Sequence, residues 1–512
     1  MTAGYNSDGR FAGGLRSGQQ YMDALKNDGR RVFLDGEEVS DVTSHPAFCE
    51  AVRSVADLFD IAHDAANRDV MTYTSPATGE PVNVIWRMPK TTEELSIWRG
   101  AVEKWSESNF GLIGRGPDHV AGFFSGWASA PEIFDDRSGR DFAGNIVRFY
   151  EFLRDNDVYI TYTIVPPQID RSKPAHGQSP PDLYAGVTEE RDDGIIIQGA
   201  QMLGTGAALS DYVNLSTISP MQKGDDNYAI NLAVACNAPG VRIHSRRSYA
   251  AAASSVYDYP LASRYDETDA LVVFDNVFVP WEQVFVYKNM EICRRQWWET
   301  PAHIMGNNQA HIRFTTKLRF MMGVAHRIAE MNGVLANPAV QAHIAEIAAM
   351  ASLYEGLLEA QFATATTNSG GYMEPGYQAH YAAEALQSEI YPKMLNLMRE
   401  LCGGGVIQLP SSAADFANPE IRKDLERYVQ SPGYPAEERV KLMKLAWDAL
   451  GSEFASRHVQ YEMFYAGAQF VTRGHMYRTY PWEDATGMVD EILASYDLKD
   501  SMISRPKSAA AE

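Results

Sequence analysis

The order of textures along the chain predicts an α+β fold in which a helical region, a β region and a second helical region follow one another. Three observations carry that prediction. Apolar residues recur at three- and four-residue intervals up to about residue 150, short apolar runs broken by Gly, Pro and Asp fill 155–290, and long helical periods return after about 295. The division that follows is 1–154 (mainly helical), 155–290 (β), 291–480 (helix bundle) and 481–512 (a C-terminal extension).

In chain order, the first helix is signalled by Pro46 in a first-turn position and by Phe48, Val52, Val55 and Phe59 along one face. A second is marked by Thr91 and Glu94 at capping-box spacing, followed by Leu95, Trp98, Val102 and Trp105 on a single apolar face. Strands are expected at 195–197, 227–235, 241–244 and 271–274, and helices over 325–330, 338–362, 379–401 and 437–465. Asn337 before Pro338 is a helix start, an N-cap followed by proline at the first helical position. The run Gly403-Gly404-Gly405 follows a helix, so it reads as a helix stop rather than a phosphate loop. An Ala-rich tail, 507–512, is expected to fray.

Composition excludes several classes of function. With 512 residues the chain can form two to four cooperative units or one large subunit, and 26 Tyr, 21 Phe and 9 Trp supply many flat apolar surfaces. A net charge of -21 is wrong for a nucleic-acid partner, which needs clustered Lys and Arg. No apolar run approaches a membrane span, and the polar start MTAGYNSDGR lacks a secretory layout, so the cytoplasm is the expected compartment. Cys49, Cys236, Cys293 and Cys402 form no CxxC pair and read as reduced, mostly buried thiols. P-loop, HExxH, GxSxG and strand-to-helix GxGxxG motifs are all missing. His303 and His311 are the nearest candidate metal pair, but no matched carboxylate or thiolate stands beside them in sequence, and no metal is expected.

The specific signal is a set of strings in a common order: FGLIGRGPDH, IVPPQIDRSKP, QMLGTGAALSDY, YPLASRYDETDALVVFDNVFVPWEQVF, LPSSAADFANPEIRKDLERYV and RVKLMKLAWDALGSEFASRHVQYEMFYAGAQ. Together with SGQQYMDALKNDGRRVFLDGEEVSDVTSHPAF near the start, they resemble the large-component family of 4-hydroxyphenylacetate 3-monooxygenase, which includes chlorophenol monooxygenases. That resemblance implies an acyl-CoA dehydrogenase-like fold, a homotetramer, and reduced FAD delivered by a separate NAD(P)H:flavin reductase. In such enzymes O2 reacts with the reduced flavin and one oxygen atom enters an aromatic ring beside a phenolic hydroxyl, as in aromatic catabolism. The pocket must therefore be closed, largely apolar and furnished with a few placed polar groups.

Within the resemblance, Arg115 matches the arginine of the family's substrate loop, while His119 stands where the family has tyrosine, and Tyr162 where the 4-hydroxyphenylacetate enzymes have histidine. Either the two types have traded places as a polar pair, with His119 the base and Tyr162 the orienter, or two independent changes reflect another substrate. His311, after the β region, is a second candidate base. Flavin contacts carry over to Tyr162, Thr163, Ile164 and Val165, to Gln168 and Arg171, to Thr205 in GTG, and to Ala468, Gln469, Phe470 and Val471. The rival activities with this outline are acyl-CoA dehydrogenase-type oxidation of a CoA thioester, which needs a carboxylate base, and a radical dehydratase, whose cluster ligands this sequence lacks.

Overall fold

A computed structural model of the chain describes Tyr5 and residues 9–497. The tail 507–512 lies outside the described residues. Fourteen helices of eight or more residues and two larger sheets make up the described part. The first five helices are α1 (Gly18–Leu25), α2 (Cys49–Ile61), α3 (Thr92–Ser108), α4 (Pro117–Ala128) and α5 (Phe142–Asp155). After the sheets come α6 (Met290–Trp298), α7 (Ala302–Met331), α8 (Pro338–Ala363), α9 (Tyr377–Cys402), α10 (Pro419–Tyr428), α11 (Ala436–Leu450), α12 (Glu453–Phe464), α13 (Gln469–Thr479) and α14 (Trp482–Ala494).

Local chemistry accounts for most of these elements. The Thr91 hydroxyl accepts from Glu94 N, but the Glu94 carboxylate turns to Lys90 N and Arg87, so only half of the expected box forms. Leu95, Trp98, Val102 and Trp105 are all buried, each burial being worth about 1.5–3 kcal/mol. Asn337 caps α8 through Ala339 N with Pro338 in the first turn, and α9 stops at Gly403, whose φ of 55° is open to glycine. The expected 437–465 helix is broken, because Gly451 and the Ser452 N-cap end α11 and start α12.

The first sheet has the order β2-β1-β8-β9-β5-β4, built from β1 (Val32–Leu34), β2 (Glu37–Val39), β4 (Gly186–Glu190), β5 (Gly194–Gln201), β8 (Val241–Ser245) and β9 (Ala270–Pro280). The second is β10-β7-β6-β3, from β3 (Ile160–Thr163), β6 (Tyr212–Leu215), β7 (Asn231–Ala235) and β10 (Val284–Val286). Two features depart from the sequence expectation. The N-terminal region contributes strands, with β1 pairing parallel to β8 (Val32 with Ile243), and residues 226–228 form a 3-10 turn ahead of β7 instead of extending it.

The site is positioned by the contact between α4 and α7. A Cβ on Gly126 would lie 2.3 Å from Ala302 N, and one on Gly122 would lie 3.0 Å from Gly306 N. Gly306 in turn receives the Phe123 ring. Three glycines thus let two buried helices touch backbone to backbone, and every residue of α4 is buried.

Candidate active site

Arg115 sits just ahead of α4 with its backbone clamped on both sides. Its N–H donates to Glu267 Oε1 (2.6 Å) and its carbonyl accepts from the Tyr159 hydroxyl (2.7 Å). The side chain is buried at 6% exposure, donating from Nη2 to the Tyr465 carbonyl (2.9 Å) and reaching His119 Nε2 from Nη1 (2.8 Å). Nη1 also lies 3.3 Å from Nδ1, so the guanidinium tip rests against the imidazole edge. The Tyr162 and Tyr461 rings flank it at 5.3 and 5.1 Å. Burial opposes its charge, while Tyr162, Tyr461 and Glu267 more than restore it. Among the described residues no carboxylate forms a salt bridge with the guanidinium itself.

His119 lies one helical turn further on and is fully buried. Its tautomer follows from its neighbours. The Gln309 amide donates from Nε2 to Asp118 Oδ2 (3.0 Å), which turns Gln309 Oε1 toward His119 Nδ1 (3.1 Å). An amide oxygen only accepts, so Nδ1 carries the proton and the Nε2 lone pair faces Arg115. Burial first and the Arg115 charge second hold this imidazole far below the ordinary histidine range. Tyr162, on β3 in register with Asn214, brings its hydroxyl to 3.4 Å from Nε2. Burial raises the Tyr162 phenol, and Arg115 opposes the rise. Phe123 stands perpendicular to Tyr162 at 5.6 Å and meets Trp297 at the same distance, giving the polar trio an aromatic wall.

His311 is elsewhere. It is on α7, as is Gln309, but faces the other way, with Nε2 on the Tyr465 hydroxyl (2.8 Å) and Nδ1 on Gln361 Oε1 (3.1 Å). Burial, then the neighbouring His380, push it down to about 3. Tyr465 therefore connects the two candidate bases through Arg115, its carbonyl accepting from the guanidinium that reaches His119 and its hydroxyl lying on His311. His303 is not paired with His311 and instead shares Glu384 with His475.

Beyond Tyr162 the chain lines a cleft of about 300 Å³. Val165, Gln168 and Arg171 are on its wall, joined by Lys173 and Gln201. Prolines 166 and 167 offer a flat apolar surface, Arg171 and Lys173 suit phosphate oxygens, and the buried Gln201 Oε1 has no hydrogen-bond partner, an acceptor awaiting an N–H. This donor and acceptor set fits a flavin dinucleotide. Thr163 is buried and donates to the Met202 carbonyl (3.2 Å), and Ile164 packs beside it. The Thr205 hydroxyl donates to Asp269 Oδ1 (2.7 Å), leaving its lone pairs as acceptors. Ala468 caps α13, where Gln469 and Val471 are half-buried and Phe470 is exposed.

Profiles described as 4-hydroxyphenylacetate 3-hydroxylase N terminal and C terminal match residues 17–286 and 293–494. The chain belongs to the 4-hydroxyphenylacetate 3-hydroxylase family. It is 35% identical to a 4-hydroxyphenylacetate 3-monooxygenase oxygenase component of Pseudomonas aeruginosa, covering 94% of this chain and 93% of that one. It is 31% identical to the oxygenase component of 4-nitrophenol 2-monooxygenase of a Rhodococcus species, over 94% and 92%. A crystal structure of a 4-hydroxyphenylacetate 3-monooxygenase oxygenase component complexed with FAD and 4-hydroxyphenylacetate superposes with a TM-score of 0.89 at 32% identity, over 94% of this chain and 98% of that one. An archaeal 4-hydroxybutyryl-CoA dehydratase shares the fold at 21% identity (TM-score 0.85).

The structure thus gathers Arg115, His119 and Tyr162 into one buried cluster and sets His311 on the far side of Tyr465. Sequence reasoning passed over Gln309, Tyr465, Glu267 and Gln201. Gln309 lies two positions before His311, and Tyr465 opens the Tyr-Ala-Gly turn, but their partners are 190 and 350 residues away.

Proposed function

We propose that this chain is the oxygenase component of a two-component, FAD-dependent monooxygenase that hydroxylates a para-substituted phenol beside its hydroxyl. The observation that carries the reading is Arg115, a buried guanidinium without a carboxylate salt bridge among the described residues, set against aromatic walls. A buried cation of that kind calls for an anionic ligand, and a phenolate oxygen supplies the charge where an aromatic ring fills the space. Relatives in the family act on 4-hydroxyphenylacetate and 4-nitrophenol, both para-substituted phenols.

Bound in the cleft, reduced FAD supplies the electrons that place one atom of O2 on the ring and release the other as water. Val165, Gln168, Arg171 and Gln201 on the cleft wall would hold it, with Thr205 and the 468–471 segment further contacts that the family resemblance implies. The substrate hydroxyl enters between Arg115 and Tyr162. Arg115 turns Nη1 toward that oxygen, freeing the His119 Nε2 lone pair to take the phenolic proton. In the resting arrangement Arg115 suppresses protonation of His119. A phenolate oxygen between them removes that penalty, while Gln309 keeps the ring oriented. Tyr162 donates to the same oxygen, and Phe123 and Trp297 exclude water.

A flavin reductase is the functional partner. Met488, Val489, Ile492 and Leu493 are exposed together on α14, a stripe suited to a second copy and to assembly as a homotetramer. No helix of the described residues is long and apolar enough to cross a membrane, and a cytoplasmic setting fits the reduced cysteines. The test gives the purified chain reduced FAD, labelled O2 and a panel of phenols and aromatic acids, with products identified by mass spectrometry. One labelled oxygen beside the phenolic hydroxyl is expected. Desaturation of a CoA thioester, or no label in any ring despite FAD binding, would overturn the assignment.

A further inference from the structure

Four polar side chains from three helices converge behind the active site with no role in the chemistry above. His303 lies in the first turn of α7, His380 and Glu384 are one turn apart on α9, and His475 is on α13. Glu384 is fully buried, and no Lys or Arg among the described residues is within ion-pair distance of it. Its Oε2 lies 3.1 Å from His475 Nδ1, and its Oε1 is 3.0 Å from Asn307 Nδ2, 3.5 Å from His380 Nε2 and 3.9 Å from His303 Nε2.

Ligand atoms of His303, Glu384 and His475 all lie within 4.8 Å of one another. A tetrahedral zinc-class ion with bonds of about 2.0–2.2 Å sets its ligand atoms roughly 3.3–3.6 Å apart, so sub-ångström to ångström side-chain adjustments close the shell. Two further observations point to a ligand. His380 is fully buried, yet its Nε2 has no hydrogen-bond partner, and the buried Nδ1 of His303 is likewise unpartnered. The Trp298 ring covers the solvent side, 4.7 Å from both the His303 and the His475 ring.

We propose that His303, Glu384 and His475 bind a divalent transition-metal ion of the zinc class, with His380 the donor available to complete four-coordination. Imidazole and carboxylate donors suit zinc, cobalt(II) and iron(II), and such an ion supplies a positive charge to a buried carboxylate that has no Lys or Arg partner among the described residues. The ion would be structural, tying α13 to α7 and α9 and so bracing the 468–471 segment at the start of α13. The proposal stands apart from the oxygenase reading and needs no activity measurement.

The full-length protein, prepared without a histidine tag and stripped with chelator, is titrated with Co2+ and Zn2+, and bound metal is counted by plasma mass spectrometry. Near-stoichiometric uptake is expected, with visible cobalt d–d absorption that Zn2+ abolishes and a rise in Tm on adding Zn2+. Glu384→Gln and His475→Asn should each lose the cobalt spectrum and the Tm response. Failure of the folded wild-type protein to take up either ion, whatever the variants do, would overturn the site and leave a plain carboxylate–imidazole network. Retention of the spectrum in both folded variants would overturn it equally.

Discussion

Replacing Arg115 by Met separates a ligand-binding arginine from a structural one. The guanidinium makes two charged hydrogen bonds, to His119 Nε2 (2.8 Å) and the Tyr465 carbonyl (2.9 Å), with no carboxylate salt bridge. Losing a charge-assisted bond to a phenolate costs about 1.5–3 kcal/mol, which is a fall of roughly 10- to 150-fold in kcat/KM. Stability responds differently. Orphaning the Tyr465 carbonyl costs about 1–3 kcal/mol, while relief from burying an unpaired cation returns several kcal/mol, so the two largely cancel. The expected pattern is a large loss of single-turnover hydroxylation with reduced FAD and little change in the urea midpoint. Unchanged kcat/KM for every phenol tested, or a collapse in stability that Arg115→Lys repairs, would refute the reasoning.

Four further outcomes follow from the structure. His119→Gln preserves a contact to Gln309 but removes the proton acceptor, so hydroxylation should slow and lose its pH dependence in stopped-flow single turnovers; an unaltered rate and profile would remove His119 as the base. His311 is neutral when folded, with a pKa of about 3, whereas an unfolded histidine titrates near 6.5. Between those values the unfolded chain binds the extra proton, so stability falls as pH drops below 6.5, by about 2 kcal/mol from this group at pH 5. Denaturant midpoints from pH 7 to 5 should show that slope, flattened in His311→Gln. Gly126→Ala would drive a Cβ into the Ala302 backbone and should cost about 1–3 kcal/mol or more. Gly323→Ala, in open space within α7, should instead gain about 0.4–1 kcal/mol in urea unfolding.

Much of the architecture was legible because helix and strand periods are local. Leu95 to Trp105 form a buried face, Asn337 caps α8, and the GGG run ends α9. The elements that escaped are those decided at a distance. β1 and β2 are three residues each, too short for alternation to register, and β1 exists because β8, some two hundred residues on, offers its edge. The Gly122, Gly126 and Gly306 set that lets α4 meet α7 was equally invisible, since each glycine is unremarkable until its neighbour is known.

The candidate site divides in the same way. Motif strings marked Arg115, His119, Tyr162 and the 165–171 segment, because residue type and order survive in a linear text. Only the tertiary structure decided that Gln309 sets the His119 tautomer, that Tyr465 stands between Arg115 and His311, and that His303 faces Glu384 and His475. Hydrogen bonding and desolvation depend on what lies within a few ångströms, and those neighbours come from segments up to 350 residues apart. Sequence alone determined which chemical groups are present and how they are spaced along the backbone. Packing alone determined which of them share a protonation state.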